Sequence, residues 1–247
     1  MSNKVVLITG GTRGIGRACV YMYASKGYDI AFTFLNSEKK AKNIESDLVK
    51  KNVNILIKKV DNSKKEEIDH MVEDVIKKYG HIDVLVNNAA ISDDKKIEEI
   101  TEEDWDKMID TNLKGSFFFS KNVFTHMKKH GGGRIINISS QAGITGGFRI
   151  GAHYSTSKGG ILVLTRSFAK KGAEHNILVN TVSPGIIETD MIKSLPTNAQ
   201  KDLAKKIPLN RIGKPEDVAR IIYFLSTDES SYITGANIPV NGGMLMI

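Results

Sequence analysis

The sequence predicts an α/β fold: a doubly wound parallel sheet with helices on both faces. Three observations carry this. Short apolar runs alternate with amphipathic stretches of helical period along the chain. The apolar runs lack the in–out alternation of a half-exposed sheet, so they read as strands buried on both faces. The first run feeds through a glycine-rich turn into the first helix, the arrangement of a phosphate-binding βα unit.

Taken in order, Lys4–Thr9 is a buried-type strand, and Gly14–Lys26 a helix closed by Gly27. Asp29–Phe34 is the second strand, followed by a charged amphipathic helix over Ser37–Lys51. Val53–Val60 makes the third strand, and Ser63 is placed to cap the helix that runs to Tyr79. Ile82–Val86 is a short fourth strand. Thr101 opens one long helix to about His130, with Asp104 in its first turn, and Gly131-Gly132-Gly133 ends it. Arg134–Ser139 is the fifth strand, Tyr154–Lys171 a helix and Ile177–Val182 the sixth strand. A loop with a helical segment (Glu188–Lys206), a helix over Pro215–Leu225 and a final strand near Asn237–Val240 complete the chain. No linker, repeat or low-complexity block divides residues 1–247, so one domain is expected. Residues 186–212, the least regular stretch, are expected to form a substrate lid.

Composition narrows the function. With 247 residues, 40% hydrophobic and 26% charged, the chain is long enough to bury a substantial core. No apolar run approaches the roughly 20 residues that span a bilayer, so no membrane partner is expected. The single Cys19 excludes an intrachain disulfide and a thiolate metal cage, and fits a cytoplasmic setting. The net charge of +7 is spread among helix faces interleaved with acids, without an arginine-rich arm or a stacking motif. Nucleic acid is therefore not expected, and anionic substrates or cofactors suit the surplus. His126 and His130 share a helix face with no third ligand apparent, and no metal is expected.

The turn reads Thr9-Gly10-Gly11-Thr12-Arg13-Gly14-Ile15-Gly16, with spacing Gly-x3-Gly-x-Gly. Glycines let the backbone approach a pyrophosphate, and the following helix offers unpaired N–H groups and a positive dipole end. A site for NAD ordinarily carries an acid at the end of the second strand for the ribose 2′-hydroxyl. Here that place reads Phe34-Leu35-Asn36-Ser37, without an acid, while Arg13, Lys39 and Lys40 are close in sequence. A 2′-phosphate is welcome beside such cations, so NADPH is expected over NADH.

Tyr154 and Lys158 stand four residues apart at the start of a helix, on one face. A cation beside a phenol favours the phenolate and lowers its pKa toward the range of efficient acid–base catalysis. Ser140 ends the fifth strand, so its hydroxyl emerges at the carboxyl edge of the sheet, where open α/β folds bind ligands. Asn112 lies inside the long helix, where an asparagine is ordinarily just exposed.

With these residues assembled, the chain resembles the short-chain dehydrogenase/reductase family over nearly its full length. The motifs are Thr9-Gly10-x3-Gly14-x-Gly16, Asn87-Asn88-Ala89, Asn112, Ser140, Tyr154-x3-Lys158 and Pro184-Gly185. Within the family it looks most like the 3-oxoacyl-acyl-carrier-protein reductases of fatty acid synthesis. Ile187-Glu188-Thr189-Asp190-Met191, Tyr232-Ile233-Thr234-Gly235 and Val240-Asn241-Gly242-Gly243-Met244 carry that closer likeness.

The resemblance implies a Rossmann-type sheet of seven parallel strands and a set of roles. Tyr154 donates a proton to the substrate carbonyl as hydride arrives from the nicotinamide. Lys158 lowers the tyrosine pKa and holds the nicotinamide ribose, Ser140 polarises the carbonyl, and Asn112 supports a water that relays protons to Lys158. Cofactor contacts are implied at the turn (Gly10, Thr12, Arg13, Gly14, Ile15, Gly16) and at Asn36 and Ser37 after the second strand. They are implied also at Asp61 and Asn62 near the adenine, at Asn88, Ala89 and Ala90, and at Pro184, Gly185, Ile186 and Thr189 toward the carboxamide and phosphates. The resemblance further implies a homotetramer, with the apolar segment 236–247 at an interface, and a partner in acyl carrier protein or acyl-CoA.

Three positions depart from the pattern. Ala90 replaces a glycine, His153 stands where relatives often carry asparagine, and His175 where they carry arginine. Lys128, Lys129 and His130 match part of the basic patch that an acidic carrier protein requires. The other readings are a related reductase of acetoacetyl-CoA, a sugar or a small ketone, and a cofactor-binding sensor or scaffold without turnover.

Overall fold

The computed structural model describes residues 3–147, 150–189, 192 and 196–246. Its centre is one seven-stranded sheet of order β3-β2-β1-β4-β5-β6-β7, parallel throughout. The strands are β1 (Val5–Ile8), β2 (Asp29–Phe34), β3 (Ile55–Lys59), β4 (Val84–Asn87), β5 (Gly133–Ile138), β6 (Ile177–Pro184) and β7 (Asn237–Val240). The strand order reverses between β1 and β4. That switch point is where the carboxyl edge of such a sheet opens a crevice.

Helices cover both faces, and the strand pleat distributes the side chains between them. Val6 and Ile8 of β1 enter a core with Cys19, Val20 and Tyr23 of α1 (Gly14–Ser25) and with Ala41, Ile44 and Leu48 of α2 (Glu38–Val49). Val5 and Leu7 point the other way. They meet Ile68, Met71 and Val75 of α3 (Lys65–Tyr79), together with Phe119, Val123 and Met127 farther along the chain. Alternate residues of one fully buried strand thus feed two separate cores, which explains the unbroken apolar runs.

The predicted helix from Thr101 to about His130 is interrupted. Thr101 caps α4 (Glu102–Ile109), its hydroxyl accepting the Asp104 N–H at 3.2 Å while the Asp104 carboxylate accepts the Thr101 N–H at 3.1 Å. A π-helical turn over Asp110–Lys114 follows, and α5 (Gly115–Lys129) continues from it. Gly131 and Gly132 turn with positive φ, but Gly133 already belongs to β5. Ser63 does not cap α3 either. Its N–H and hydroxyl both donate to Asp61 Oδ1, at 2.9 and 2.7 Å, in a turn of their own.

Beyond β5 come the short α6 (Ala142–Thr145), the long α7 (Ala152–Gly172), α8 (Thr197–Lys205) and α9 (Pro215–Leu225). Within 186–212, Ile187 pairs with Gly213 at the base and Ile207 is buried, while α8 buries no residue. Asp190 and Met191 of the sequence motif lie outside the described residues. Among the described residues, no helix is long and apolar enough to cross a membrane.

Candidate active site

The glycine turn joins β1 to α1 at the switch point, and its shape depends on close backbone approach. A Cβ on Gly16 would overlap the Gly10 carbonyl oxygen and stand 2.5 Å from Asn88 Nδ2. Gly10 and Gly14 adopt φ of 70° and 52°, open only to glycine at low cost. The first turn of α1 carries no acid to neutralise its dipole, and Arg13, exposed, directly precedes it. Thr12 is buried and Ile15 half-buried. A bare glycine edge at an uncompensated helix terminus fits the pyrophosphate of a dinucleotide.

The turn is held from behind. The Asn88 carboxamide donates to the carbonyls of Thr9 and Gly10 at 2.9 and 3.1 Å, and Asn88 and Ala89 N–H groups donate to the Thr9 hydroxyl, both at 2.9 Å. Gly10 N–H donates to the Thr33 hydroxyl at 3.2 Å. Asn88, expected at a ribose, therefore spends its side chain on the turn, and Thr33 is a supporting residue that the sequence reading missed. A threonine inside a buried apolar strand was the available signal, since its hydroxyl needs a partner there.

At the end of β2, Asn36 is exposed and Ser37, at the N-terminus of α2, makes no capping bond. The first acid after β2, Glu38, faces Lys42 at 2.8 Å. Asp61 is engaged by Ser63, and the buried Asn62 packs beneath Gly115, where any Cβ would strike its carbonyl oxygen. Ala89 and Ala90 line the half-buried start of the loop after β4.

Across the switch point, α7 presents the other group of residues. Ser139 donates to the Lys158 carbonyl at 2.7 Å, fixing the first turns of α7 to the end of β5. Lys158 is 3% exposed and its ammonium donates to the Ile138 carbonyl at 2.8 Å. Burial pulls its pKa down to about 8. Its nitrogen lies 5.9 Å from the centroid of the Tyr154 ring. Ser140 pulls the Tyr154 phenol pKa down, but burial outweighs it and raises that pKa above its usual value. The ammonium is turned to the end of β5, where it donates to the Ile138 carbonyl.

Asn112 is fully buried, contrary to the ordinary reading of a mid-helix asparagine. The π turn aims its carboxamide at the loop after β4. There it accepts the Ile91 N–H at 2.9 Å, donates to the Ile91 carbonyl at 3.0 Å, and donates to Ser157 Oγ at 3.1 Å. π turns recur at functional sites because one extra residue re-aims a side chain without ending the helix. Asn112 therefore reaches α7 through Ser157, one residue before Lys158.

Beneath these groups runs a buried polar chain that the sequence reading also missed. Asn87 donates to Asn137 Oδ1 at 2.8 Å, Asn137 to Thr165 at 2.8 Å, and Thr181 to Thr165 at 2.7 Å, linking β4, β5, α7 and β6. On the β6 side, Gly185 N–H donates to Val240 at 3.0 Å and the Pro184 carbonyl accepts Gln141 N–H at 2.9 Å. The Ile186 carbonyl accepts Gly213 N–H at 3.1 Å, and the Thr189 hydroxyl accepts Ile192 N–H at 3.3 Å. Both are partly committed to protein partners. The structure thus gathers the sequence-predicted residues along one carboxyl edge, with glycines and cations on one side of the switch point and Ser140, Tyr154 and Lys158 on the other.

Comparison with known proteins matches residues 10–245 to the family described as enoyl-(acyl carrier protein) reductase. A 3-oxoacyl-(acyl-carrier-protein) reductase FabG of Thermotoga maritima is 40% identical, covering 100% of this chain and 99% of its own. One from Staphylococcus epidermidis is 38% identical over 99% of this chain and all of its own. Among solved structures, a mutant short-chain dehydrogenase/reductase of Serratia marcescens superposes with a TM-score of 0.92. It is 32% identical, and 98% of each chain is covered.

Proposed function

This chain belongs to the short-chain dehydrogenase/reductase family of NAD(P)-dependent oxidoreductases, and from that premise we propose that it reduces a 3-oxoacyl thioester on acyl carrier protein to the 3-hydroxyacyl thioester, using NADPH. The full-length relatives named as 3-oxoacyl-(acyl-carrier-protein) reductases support the substrate. The observation that carries the chemistry is the buried Lys158 ammonium, 5.9 Å from the Tyr154 ring centroid, at the crevice edge where the glycine turn opens.

Held at the glycine turn, NADPH would supply the hydride for the carbonyl carbon. The protein's task is to manage the charge this creates on the carbonyl oxygen. The Ser140 and Tyr154 hydroxyls both donate to that oxygen, and Tyr154 transfers its proton to it as the alkoxide forms. A phenol held above its usual pKa starts the reaction protonated, as an acid must. Lys158, with a pKa near 8, is poised to give up a proton close to neutral pH and so to support return of one to Tyr154. Asn112, through Ser157, orients the turn that carries both. Arg13 stands just before α1 and Lys39 and Lys40 in the first turn of α2, cations that favour a 2′-phosphate on the adenine ribose.

The whole chain is read as one domain, with 186–212 closing over the substrate. It assembles as a tetramer with the C-terminal segment 236–247, where Met246 is exposed, at a subunit interface. Lys128, Lys129 and His130 attract the acidic carrier, and the free Cys19 is suited to the cytoplasm.

NADPH oxidation with acetoacetyl esters of carrier protein, coenzyme A and a short thioester mimic tests this reading. Turnover highest on the carrier ester and falling as salt rises is expected. Equal, salt-insensitive turnover of all three would replace it with a reductase of small free ketones.

A further inference from the structure

His153, immediately before Tyr154, is a fully buried imidazole. Its Nε2 lies 3.1 Å from Asp93 Oδ2, and since a carboxylate only accepts, Nε2 carries the proton. Asp93 follows Ile91 by two residues in the loop after β4. Its other carboxylate oxygen accepts Lys95 N–H at 3.3 Å, and its carbonyl accepts Gly151 N–H at 3.0 Å. Gly151, the last residue before α7, makes room for this closure. A Cβ there would stand 2.6 Å from His153 Nδ1 and 2.8 Å from Asp93 Oδ1.

The loop is therefore gripped twice. Asn112 from the π turn holds Ile91 by N–H and carbonyl together, and His153 from α7 holds Asp93 by its carboxylate. Both grips end on α7, Asn112 through Ser157 and His153 directly, on either side of Tyr154 along the chain. We propose that His153 and Asp93 are a pair of positioning residues that lock the loop after β4 to the first turn of α7 and thereby fix the stance of the Tyr154 hydroxyl. The distinction from ordinary packing is specific. The loop starts at Ala89 and Ala90 beside the glycine turn, so the pair ties the crevice's cofactor side to the residue that delivers the proton. An apolar residue of similar size fills the space but has no donor for Asp93.

This inference rests on Tyr154 being the proton donor, and its test has a readout independent of turnover. His153→Phe and His153→Gln are compared with the unaltered enzyme by amide hydrogen exchange and by steady-state kinetics. In His153→Phe, exchange in residues 91–96 and 150–156 accelerates while that in the sheet strands does not. The kcat per cofactor-binding site falls about tenfold or more, and the KM for NADPH stays within about twofold. His153→Gln, whose amide can still donate to Asp93, recovers most of both losses. Unchanged exchange in the loop, unchanged kcat in folded His153→Phe, or a glutamine variant no better than phenylalanine each overturns the proposal. If the unaltered enzyme reduces no ketone, the functional reading fails on its own, and the exchange measurement still decides the lock.

Discussion

Lys158 donates its buried ammonium to the carbonyl of Ile138, 2.8 Å away at the end of β5, rather than to the phenol of Tyr154 four residues before it. A strand end and a helix start are thus joined by a cation held out of water. The cost of that burial appears as a pKa drawn down to about 8.

That cost makes stability depend on pH. An unfolded lysine titrates near ~10.4, so between about 8 and about 10.4 the unfolded chain holds a proton that the folded chain has released. Stability contributed by this group therefore rises as pH rises through that window, and below 8 the penalty is constant. Urea unfolding of the wild type and Lys158→Met at pH 7.5 and 9.5 isolates it, because buried Tyr23 and Tyr79 are common to both proteins. The wild type should gain about 2 kcal/mol relative to the variant between the two pH values. A constant difference would mean that Lys158 titrates normally.

Tyr154→Phe removes the proton donor while preserving ring and packing. Turnover should fall by roughly 10²-fold or more, with NADPH affinity nearly intact. Stopped-assay kinetics together with cofactor titration distinguish this from a folding defect. Substantial residual reduction would reassign the acid.

Gly16→Ala inserts a methyl group into the Gly10 carbonyl and the Asn88 carboxamide. The turn must spread, so stability should drop by about 1–3 kcal/mol and NADPH binding should weaken together with it. Thermal unfolding with and without cofactor reads both. Gly14→Ala offers a contrast, because a Cβ there meets nothing within 4 Å and only its positive φ resists the change.

Arg13→Glu should reverse the cofactor corner's preference. The kcat/KM for NADPH should fall about tenfold or more, with NADH affected far less, since only the former carries the 2′-phosphate. Equal losses with both cofactors would place Arg13 on the shared pyrophosphate instead.

Much of this was legible from the residues. Valine and isoleucine runs give the strands, and the glycine turn marks the switch point because few other sequences permit its backbone. What escaped was the aim of individual side chains. Asp110–Lys114 continues the helical pattern with no proline or glycine inside it, so the π turn that buries Asn112 leaves no local trace. Ser63 sits correctly for a cap, yet Asp61 takes it first. Asn88 looks free to meet a ligand until the bent turn brings two carbonyls to its carboxamide. Lys158 has the right spacing to reach a phenol along the helix, but the Ile138 carbonyl, twenty residues back, competes successfully. For Asn88 and Lys158 a partner distant in sequence overrode a plausible local one.

The chain of Asn87, Asn137, Thr165 and Thr181 has a mechanical meaning. Apolar side chains tolerate small sliding, because one methyl contact replaces another at little cost. Hydrogen bonds that cross three neighbouring strands and a helix are kept only in an alignment that preserves each donor–acceptor pair. The middle of the sheet therefore behaves like a keyed shaft: it seats fully or not at all. A catalytic edge mounted on it inherits a fixed zero point, from which the distances among Ser140, Tyr154 and Lys158 are set.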